Sequence, residues 1–500
     1  MVERLIEQLL IYAQAHLGLR GFDVYYARNL LMAEFKVAEP YKGELSQEEK
    51  ERIRGMAVPD EFIESLCSIA SERELAPEGM ELSFASKIMG LLTPSPEKVI
   101  ENFDAIRERE GIESACLYLY ELSIKNNYIQ KTAIGKNIKW RADFGENFIE
   151  VTINLSKPEK DNREILRQLK QQATSYPSCA LCIDNLGFEG NLYRPPRQNI
   201  RVIPVKLAGE EWFVQYSPYL YYDEHCIAIS MEHRPMKVDS KTFLRLLDFV
   251  DIFPHYFIGS NASLPIVGGS ILSHEHYQGG GYKMPLHYAA DKKFYDCKME
   301  GVSVSTVSWY NRVVRIRSAD RQKLYSVACK VLEKWLAYTN EECEIISRTA
   351  EQHNALTPIM RREKGEYVLE IILRNNRTSE KHPDGIFHAH AEYHNIKKEG
   401  IGLIEAMGLY ILPGRLKRQT EEIKRILCGE REYGEDLEIH KGMIERLLAE
   451  NETPMREEEA RRAITEYINE VCRLILINTA VFKPDEKGQK AFDEFMSGIF

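Results

Sequence analysis

The segment His274-Glu275-His276-Tyr277-Gln278, followed by Gly279-Gly280-Gly281, restricts this chain more than any other stretch. Strand side chains repeat with period two, so an extended backbone puts His274, His276 and Gln278 on one face and turns Glu275 away. That face would offer a nucleophilic or metal-binding nitrogen, a second nitrogen to ligate or orient, and a neutral amide donor. Glycine lacks a Cβ, and three in succession let a large anionic substrate approach the backbone closely. Upstream, Gly259-Ser260-Asn261 and Gly268-Gly269-Ser270 supply small residues and backbone N–H groups suited to phosphate. A His-x-His pair alone is most often a core or surface accident; the glycine-rich flanks set this one apart.

The chain has 500 residues, too many for one core, and suggests about three or four structural units at roughly 100–200 residues each. Hydrophobic residues make up 44% and charged residues 28%, the balance of an ordinary globular enzyme. A formal charge of −10 argues against nucleic acid or an anionic membrane as partner, yet leaves room for a local arginine cluster to take an anionic substrate. Met1-Val2-Glu3-Arg4-Leu5-Ile6-Glu7 carries charges where a signal peptide needs an apolar core, and no apolar run reaches the ~18–20 residues of a membrane span. The ten cysteines are scattered, which in a chain this long reads as reduced thiols in the cytoplasm.

Four textures follow one another. Residues 1–135 are helical: Leu5, Leu9, Tyr12, Ala13, His16 and Leu17 mark one helix face, and Ser95-Pro96 opens another helix with a capping serine and a first-turn proline. Residues 136–300 mix strands and helices. Phe148–Leu155, Ile200–Leu207, Glu211–Tyr216, Cys226–Ser230, His255–Gly259 and Gly268–Tyr277 read as strands; 162–171 and Lys241–Val250 read as helices. Residues 301–410 repeat that texture, with strands over Val302–Ile316 and Tyr367–Leu373 around a helix from Arg321 to Thr339. From 411 to 500 the chain is helical, and its abundant Arg, Lys and Glu are read as a solvated face. The fold class expected is α+β.

Cys179-Ala180-Leu181-Cys182 places two thiols at a spacing that can grip a tetrahedral zinc, although they supply only half its ligands; a redox dithiol or two buried cysteines are the other readings. In Arg194-Pro195-Pro196-Arg197-Gln198-Asn199-Ile200-Arg201 prolines stiffen a segment whose arginines can fork onto phosphate, and a plain surface loop is the alternative.

Phe257–Met284 resembles the active-site segment of the galactose-1-phosphate uridylyltransferases, in particular their long second class within the histidine-triad superfamily. The family's other branch carries His-Pro-His-x-Gln; here Glu275 replaces the proline, as an acidic residue does in the second class. The resemblance extends over Tyr176–His233 and more loosely over Gln352–Met407. It implies two histidine-triad-like antiparallel sheet halves, flanked by the helical terminal regions. It also implies transfer of uridylyl from UDP-glucose to galactose 1-phosphate through a uridylylated histidine, by a cytoplasmic homodimer without organic cofactor.

By that resemblance His276 is the nucleophile and Gln278 the donor to a non-bridging phosphate oxygen. Cys179, Cys182, His233 and His274 follow the order of a structural zinc site, and Arg197, Asn199 and Arg201 fall on the uridine and phosphate side. Asn261 and Ser270 resemble phosphate contacts, and Glu405 in Gly402–Gly408 resembles a hexose-hydroxyl acceptor. The other branch has a second, iron-type site on a His-x-His pair; the strand matching it here, Tyr367–Leu373, has no histidine. His382, His388, His390 and His394 crowd nearby and could instead touch phosphate or sugar hydroxyls. The competing readings are a nucleotide hydrolase or dinucleotide phosphorylase on the same scaffold, and a non-catalytic zinc-stabilised nucleotide-binding module.

Overall fold

The apolar spacing at the start of the chain becomes a helix over Val2–His16 that buries Ile6, Leu9, Leu10, Tyr12 and Ala13. Ser95 caps the helix Pro96–Glu110 as its sequence predicts, accepting the Lys98 N–H with proline in the first turn. The structure, a computed structural model, describes residues 1–75, 80–156, 175–191 and 193–500; the helix expected over 162–171 lies outside them. The chain is α+β and divides into two compact units, Met1–Gly135 with Glu159–Arg234, and Lys136–Pro158 with Pro235–Phe500. No helix among the described residues is long and apolar enough to cross a membrane, and all ten cysteines are free thiols.

After the first helices the chain lays down β1 (Ile138–Phe144) and β2 (Asn147–Asn154), an antiparallel hairpin of the second unit. It returns to the first unit for β3 (Ile203–Leu207), β4 (Glu210–Tyr216) and β5 (Cys226–Ser230), paired antiparallel in that order. In this ribbon Trp212, Phe213 and Ala228 are buried, and the Tyr216 hydroxyl reaches the Cys116 carbonyl of a neighbouring helix.

From Pro235 the chain stays in the second unit. A capping box at Asp239 starts the helix Ser240–Ile252; the Asp239 carboxylate takes two backbone N–H groups there, an arrangement that stabilises a helix by about 1 kcal/mol. Then come β6 (Phe257–Gly259), β7 (His276–Gly280), β8 (Asp291–Tyr295), β9 (Val302–Val307), β10 (Val313–Ser318), β11 (Asn354–Glu363) and β12 (Glu366–Asn375). They hydrogen-bond in the order β7-β6-β11-β12-β10-β9-β8, every pair antiparallel. The strand expected over Val302–Ile316 is thus a hairpin of two strands, because Trp309 to Arg312 turn the chain back. The helix Arg321–Ala337 packs on this sheet, and its Trp335 indole donates to the Ala355 carbonyl. Last, β13 (Leu409–Pro413) pairs in parallel with β2, and the helix Glu457–Thr479 takes the Trp140 indole at Asn469 and the Tyr410 hydroxyl at the Cys472 carbonyl.

Gly268–Tyr277 does not form the single strand its pattern suggests. Gly268 makes only an isolated bridge to Ala262, and regular pairing starts at His276. A Cβ on Gly268 would lie 2.5 Å from the Ala262 carbonyl oxygen and 2.7 Å from that of Leu264, so this glycine serves a loop folded on itself.

The second unit also buries three histidines away from water. Burial pushes the ring of His287 down to about 3 and those of His388 and His440 to about 4, with Arg361, Arg374 and Arg415 respectively adding to the effect. Each ring is neutral when folded and protonates near pH 6.5 when unfolded. Their contribution to stability is therefore present above about pH 6.5 and lost as pH falls towards the folded values. Urea midpoints are expected to be lower at about pH 5 than at about pH 7.5; equal midpoints would show that these rings accept protons in place.

Candidate active site and metal ligands

In the first unit the Cys-x-x-Cys turn brings two sulfurs together. Sγ of Cys179 and Cys182 lie 3.5 Å apart, well beyond a disulfide bond, and the Leu181 N–H points at Cys179 Sγ from 3.3 Å. The turn is held from beneath by the Asn185 amide, which donates to both the Cys179 and the Cys182 carbonyl at 2.8 Å. Arg194 reinforces it through Pro177 and Ser178 carbonyls, at 3.3 and 3.0 Å. His233, just beyond β5, brings Nδ1 to 3.1 Å from Cys182 Sγ. The three ligand atoms lie within 4.8 Å of one another. Burial, and then the neighbouring thiol, push Cys182 up to about 11. A bound cation would reverse that cost by favouring thiolates, and two sulfurs with one imidazole are a donor set that suits a borderline-soft divalent metal.

The arginine segment of the same unit is anchored by two side chains. Asn199 exchanges hydrogen bonds with Asn126 and accepts the Ser86 hydroxyl. Arg201 donates to the carbonyls of Thr93, Pro94, Gln198 and Ile200 at 2.6 to 3.1 Å, and burial lowers its guanidinium to about 10. These bonds fix the segment that carries Arg197. Arg197 is half-buried with its guanidinium 5.6 Å from the Tyr128 ring, and among the described residues its one side-chain hydrogen bond, to the Pro196 carbonyl, leaves most of its fork unengaged.

In the second unit β7 aims His276 and Gln278 to one face of the sheet. Glu275 and Tyr277 take the other, where Arg245 of the helix Ser240–Ile252 sits 2.7 Å from the Glu275 carboxylate and 3.2 Å from the Tyr277 hydroxyl. His274 is not in register with His276, because the chain bends just before the strand. That bend brings the His274 carbonyl to 2.8 Å from His276 Nδ1. A carbonyl can only accept, so Nδ1 carries the proton and the lone pair lies on Nε2. Among the described residues Nε2 has no hydrogen-bond partner. His276 is almost wholly buried, and that burial is the main force holding it below the usual imidazole range, hence neutral. Beside it, a Cβ on Gly279 would lie 2.2 Å from the Phe257 carbonyl oxygen; this glycine lets β6 approach β7.

Two family models match the sequence. Residues 64–235 match the N-terminal domain of galactose-1-phosphate uridyl transferase, and residues 249–442 match its C-terminal domain. The chain belongs to this family. A galactose-1-phosphate uridylyltransferase of Caldanaerobacter subterraneus subsp. tengcongensis is 44% identical over 98% of this chain and 96% of its own. Those of Fusobacterium nucleatum and Bacillus subtilis are 40% and 39% identical, each over 99% of this chain and 98% and 97% of theirs.

Of the remaining family candidates, Asn261 and the helix that bears Glu405 stand on the face of His276. Register carries Gln278 across to Gly259, Ile359, Glu370 and Arg315, all on that side. Leu403 lies over Gly259, where an added Cβ would meet its Cδ1 at 2.9 Å, and its N–H is held by Asn261 Oδ1 at 2.7 Å. Ser270 is exposed on the loop between β6 and β7, and Glu405 pairs with Lys397 at 3.0 Å. His382 stacks on His390 with centroids 3.9 Å apart, while His390 and His394 turn Nε2 to loop carbonyls. Among the described residues these histidines form no group of three metal ligands.

Three charged residues and a neutral histidine escaped notice in the sequence. Glu370 accepts from Arg315 Nε and Nη2 at 2.9 and 2.6 Å, with Arg361 Nη1 2.8 Å and His287 Nε2 3.7 Å from its other oxygen. Burial pushes Glu370 up, but Arg361, His287 and Arg315 outweigh it and hold the carboxyl at about 2. The available signal was a Glu or Arg at inward positions of otherwise apolar strands, in Val368–Leu373 and Val313–Ile316.

Proposed function

We propose that the protein exchanges uridylyl between UDP-glucose and galactose 1-phosphate, through a covalent intermediate on His276. The supporting observation is the state of that ring: neutral, proton on Nδ1, lone pair on Nε2, with Gln278 on the same face. In the first step Nε2 attacks the α-phosphorus of UDP-glucose. The bond to the bridging oxygen breaks, and glucose 1-phosphate leaves with the electron pair. Charge that develops on the imidazole is met by the His274 carbonyl through Nδ1–H. In the second step a phosphate oxygen of galactose 1-phosphate attacks the same phosphorus, and the P–N bond returns its electrons to Nε2. No proton is gained or lost over the cycle. Gln278 donates its amide to a non-bridging oxygen, where negative charge builds up.

Arg197, on the segment fixed by Asn199 and Arg201, meets phosphate, as do Asn261 and Ser270; Glu405 takes a hexose hydroxyl. The metal is zinc, held by Cys179, Cys182, His233 and, on the family's ligand order, His274. Ligation would fix the bend whose carbonyl orients His276, as outer contacts do for metal-bound histidines. The enzyme works as a cytoplasmic homodimer, which sedimentation equilibrium at twice the chain mass would support.

Incubation with UDP-glucose labelled in the uridylyl group, without acceptor, is expected to leave acid-labile, base-stable label on the protein and release glucose 1-phosphate. Absence of label under conditions of full turnover would rule out the two-step route. Cys182→Ser is expected to lose the bound metal, about one equivalent per chain by plasma mass spectrometry, and to melt at lower temperature. Wild-type protein that carries no metal after purification in the presence of zinc, and melts no higher than the variant, would count against zinc.

A further inference from the structure

Glu405 stands in the four-residue helix Leu403–Ala406, and four hydrogen bonds fix the approach to it. Lys397, buried, donates from Nζ to Glu405 Oε1 at 3.0 Å and to the Ile411 carbonyl at 2.9 Å. Arg374, at the end of β12 and fully buried, donates from Nη2 to the Ile401 carbonyl at 2.7 Å. The fourth bond joins Asn261 Oδ1 to the Leu403 N–H at 2.7 Å, tying the helix to the loop that follows β6.

Oε1 is taken by Lys397. Oε2 lies over Gly402, 3.6 Å from where a Cβ would stand, and has no hydrogen-bond partner among the described residues. A Cβ at residue 402 would touch this oxygen and crowd Asn261 Oδ1, at 3.0 Å. Arg374 has an oddity of its own: among the described residues neither Nε nor Nη1 has a hydrogen-bond partner, although the side chain is fully buried. A buried guanidinium without a bonded carboxylate is costly. The carboxylate whose charge it senses is Glu405. Two buried cations therefore serve one carboxylate, and the surplus positive charge has the sign a phosphorylated sugar needs.

We propose that Lys397 and Arg374 are positioning residues for Glu405: they lock one carboxylate oxygen and its helix so that the other oxygen receives a hydroxyl of the hexose 1-phosphate. The inference rests on the uridylyl-transfer reading above and goes one layer outward from the group that meets the sugar.

A double-mutant cycle on the full-length protein tests it, with galactose 1-phosphate varied at saturating UDP-glucose. Lys397→Met is expected to raise KM for galactose 1-phosphate about tenfold and to change kcat less than about threefold. In a Glu405→Gln background the same substitution should add less than about twofold, because the group it serves is already lost. Arg374→Met should follow this pattern, and Arg374→Lys, which keeps the charge, should recover most of the affinity. Equal effects of Lys397→Met with and without Glu405→Gln would overturn the proposal, as would a lower melting temperature with KM unmoved. If wild-type protein makes no UDP-galactose, the uridylyl-transfer reading fails instead, so the two failures are distinguishable.

Discussion

His276→Ala is expected to lower uridylyl transfer by at least about 10⁴-fold, the scale seen when a covalent nucleophile or its partner is removed from an enzyme. Both half reactions should fail together. Glucose 1-phosphate should not be released from UDP-glucose, and no label should remain on the protein. Melting should change little, because among the described residues the ring makes a single side-chain hydrogen bond, to its own chain two residues back. His276→Gln is the more searching variant: it keeps a donor near the His274 carbonyl but has no lone pair comparable to that of Nε2. Transfer by either variant at more than about a tenth of the wild-type rate would remove His276 from the reaction, since a covalent route cannot survive loss of its nucleophile.

Glu370→Ala is expected to destabilise the protein by about 3–5 kcal/mol, because it leaves two buried guanidinium groups facing an apolar gap. Among the described residues Arg315 would keep Asp291, at 3.0 Å, as its one carboxylate, and Arg361 would keep only Glu363, at the longer distance of 3.4 Å. His287 would lose the one neighbour that favours its protonated form. Glu370→Gln should cost less, since an amide oxygen still accepts from Arg315. Urea midpoints of the three proteins should therefore fall in the order wild type, Gln, Ala. The site should feel the change as well. Glu370 shares a sheet face and a register row with Gln278, separated by Gly259 and Ile359, so a gap at Glu370 lies in the row that carries Gln278. An alanine variant as stable as wild type would show that the cluster is dispensable.

What could be read before folding followed short-range rules. The helix cap at Ser95, the alternation in β2 and the limits of β5 depend on neighbours within a few residues. β11 went unread although it is ten residues long: Asn354–Glu363 is buried on both faces over most of its length, so it shows no alternation. The expected strand through Gly268–Tyr277 failed for a converse reason. Its residues suit an extended chain, but contacts of Gly268 with Ala262 and Leu264, several positions back, fold it into a loop.

The active-site letters were legible for a similar reason: His276 and Gln278 lie two residues apart on one strand, and period two alone puts them on one face. Sequence by itself thus determined the shared face of His276 and Gln278, the thiol pair and the family. Tertiary structure alone decided which nitrogen of His276 carries the proton, which arginine keeps most of its fork unengaged among the described residues, and which cations stand behind Glu405. Those outcomes depend on a bend, on carbonyls such as those of Thr93 and Ile401, and on groups brought together across strands and loops. Backbone carbonyls are the same in every residue, so no pattern of side chains announces where they will point.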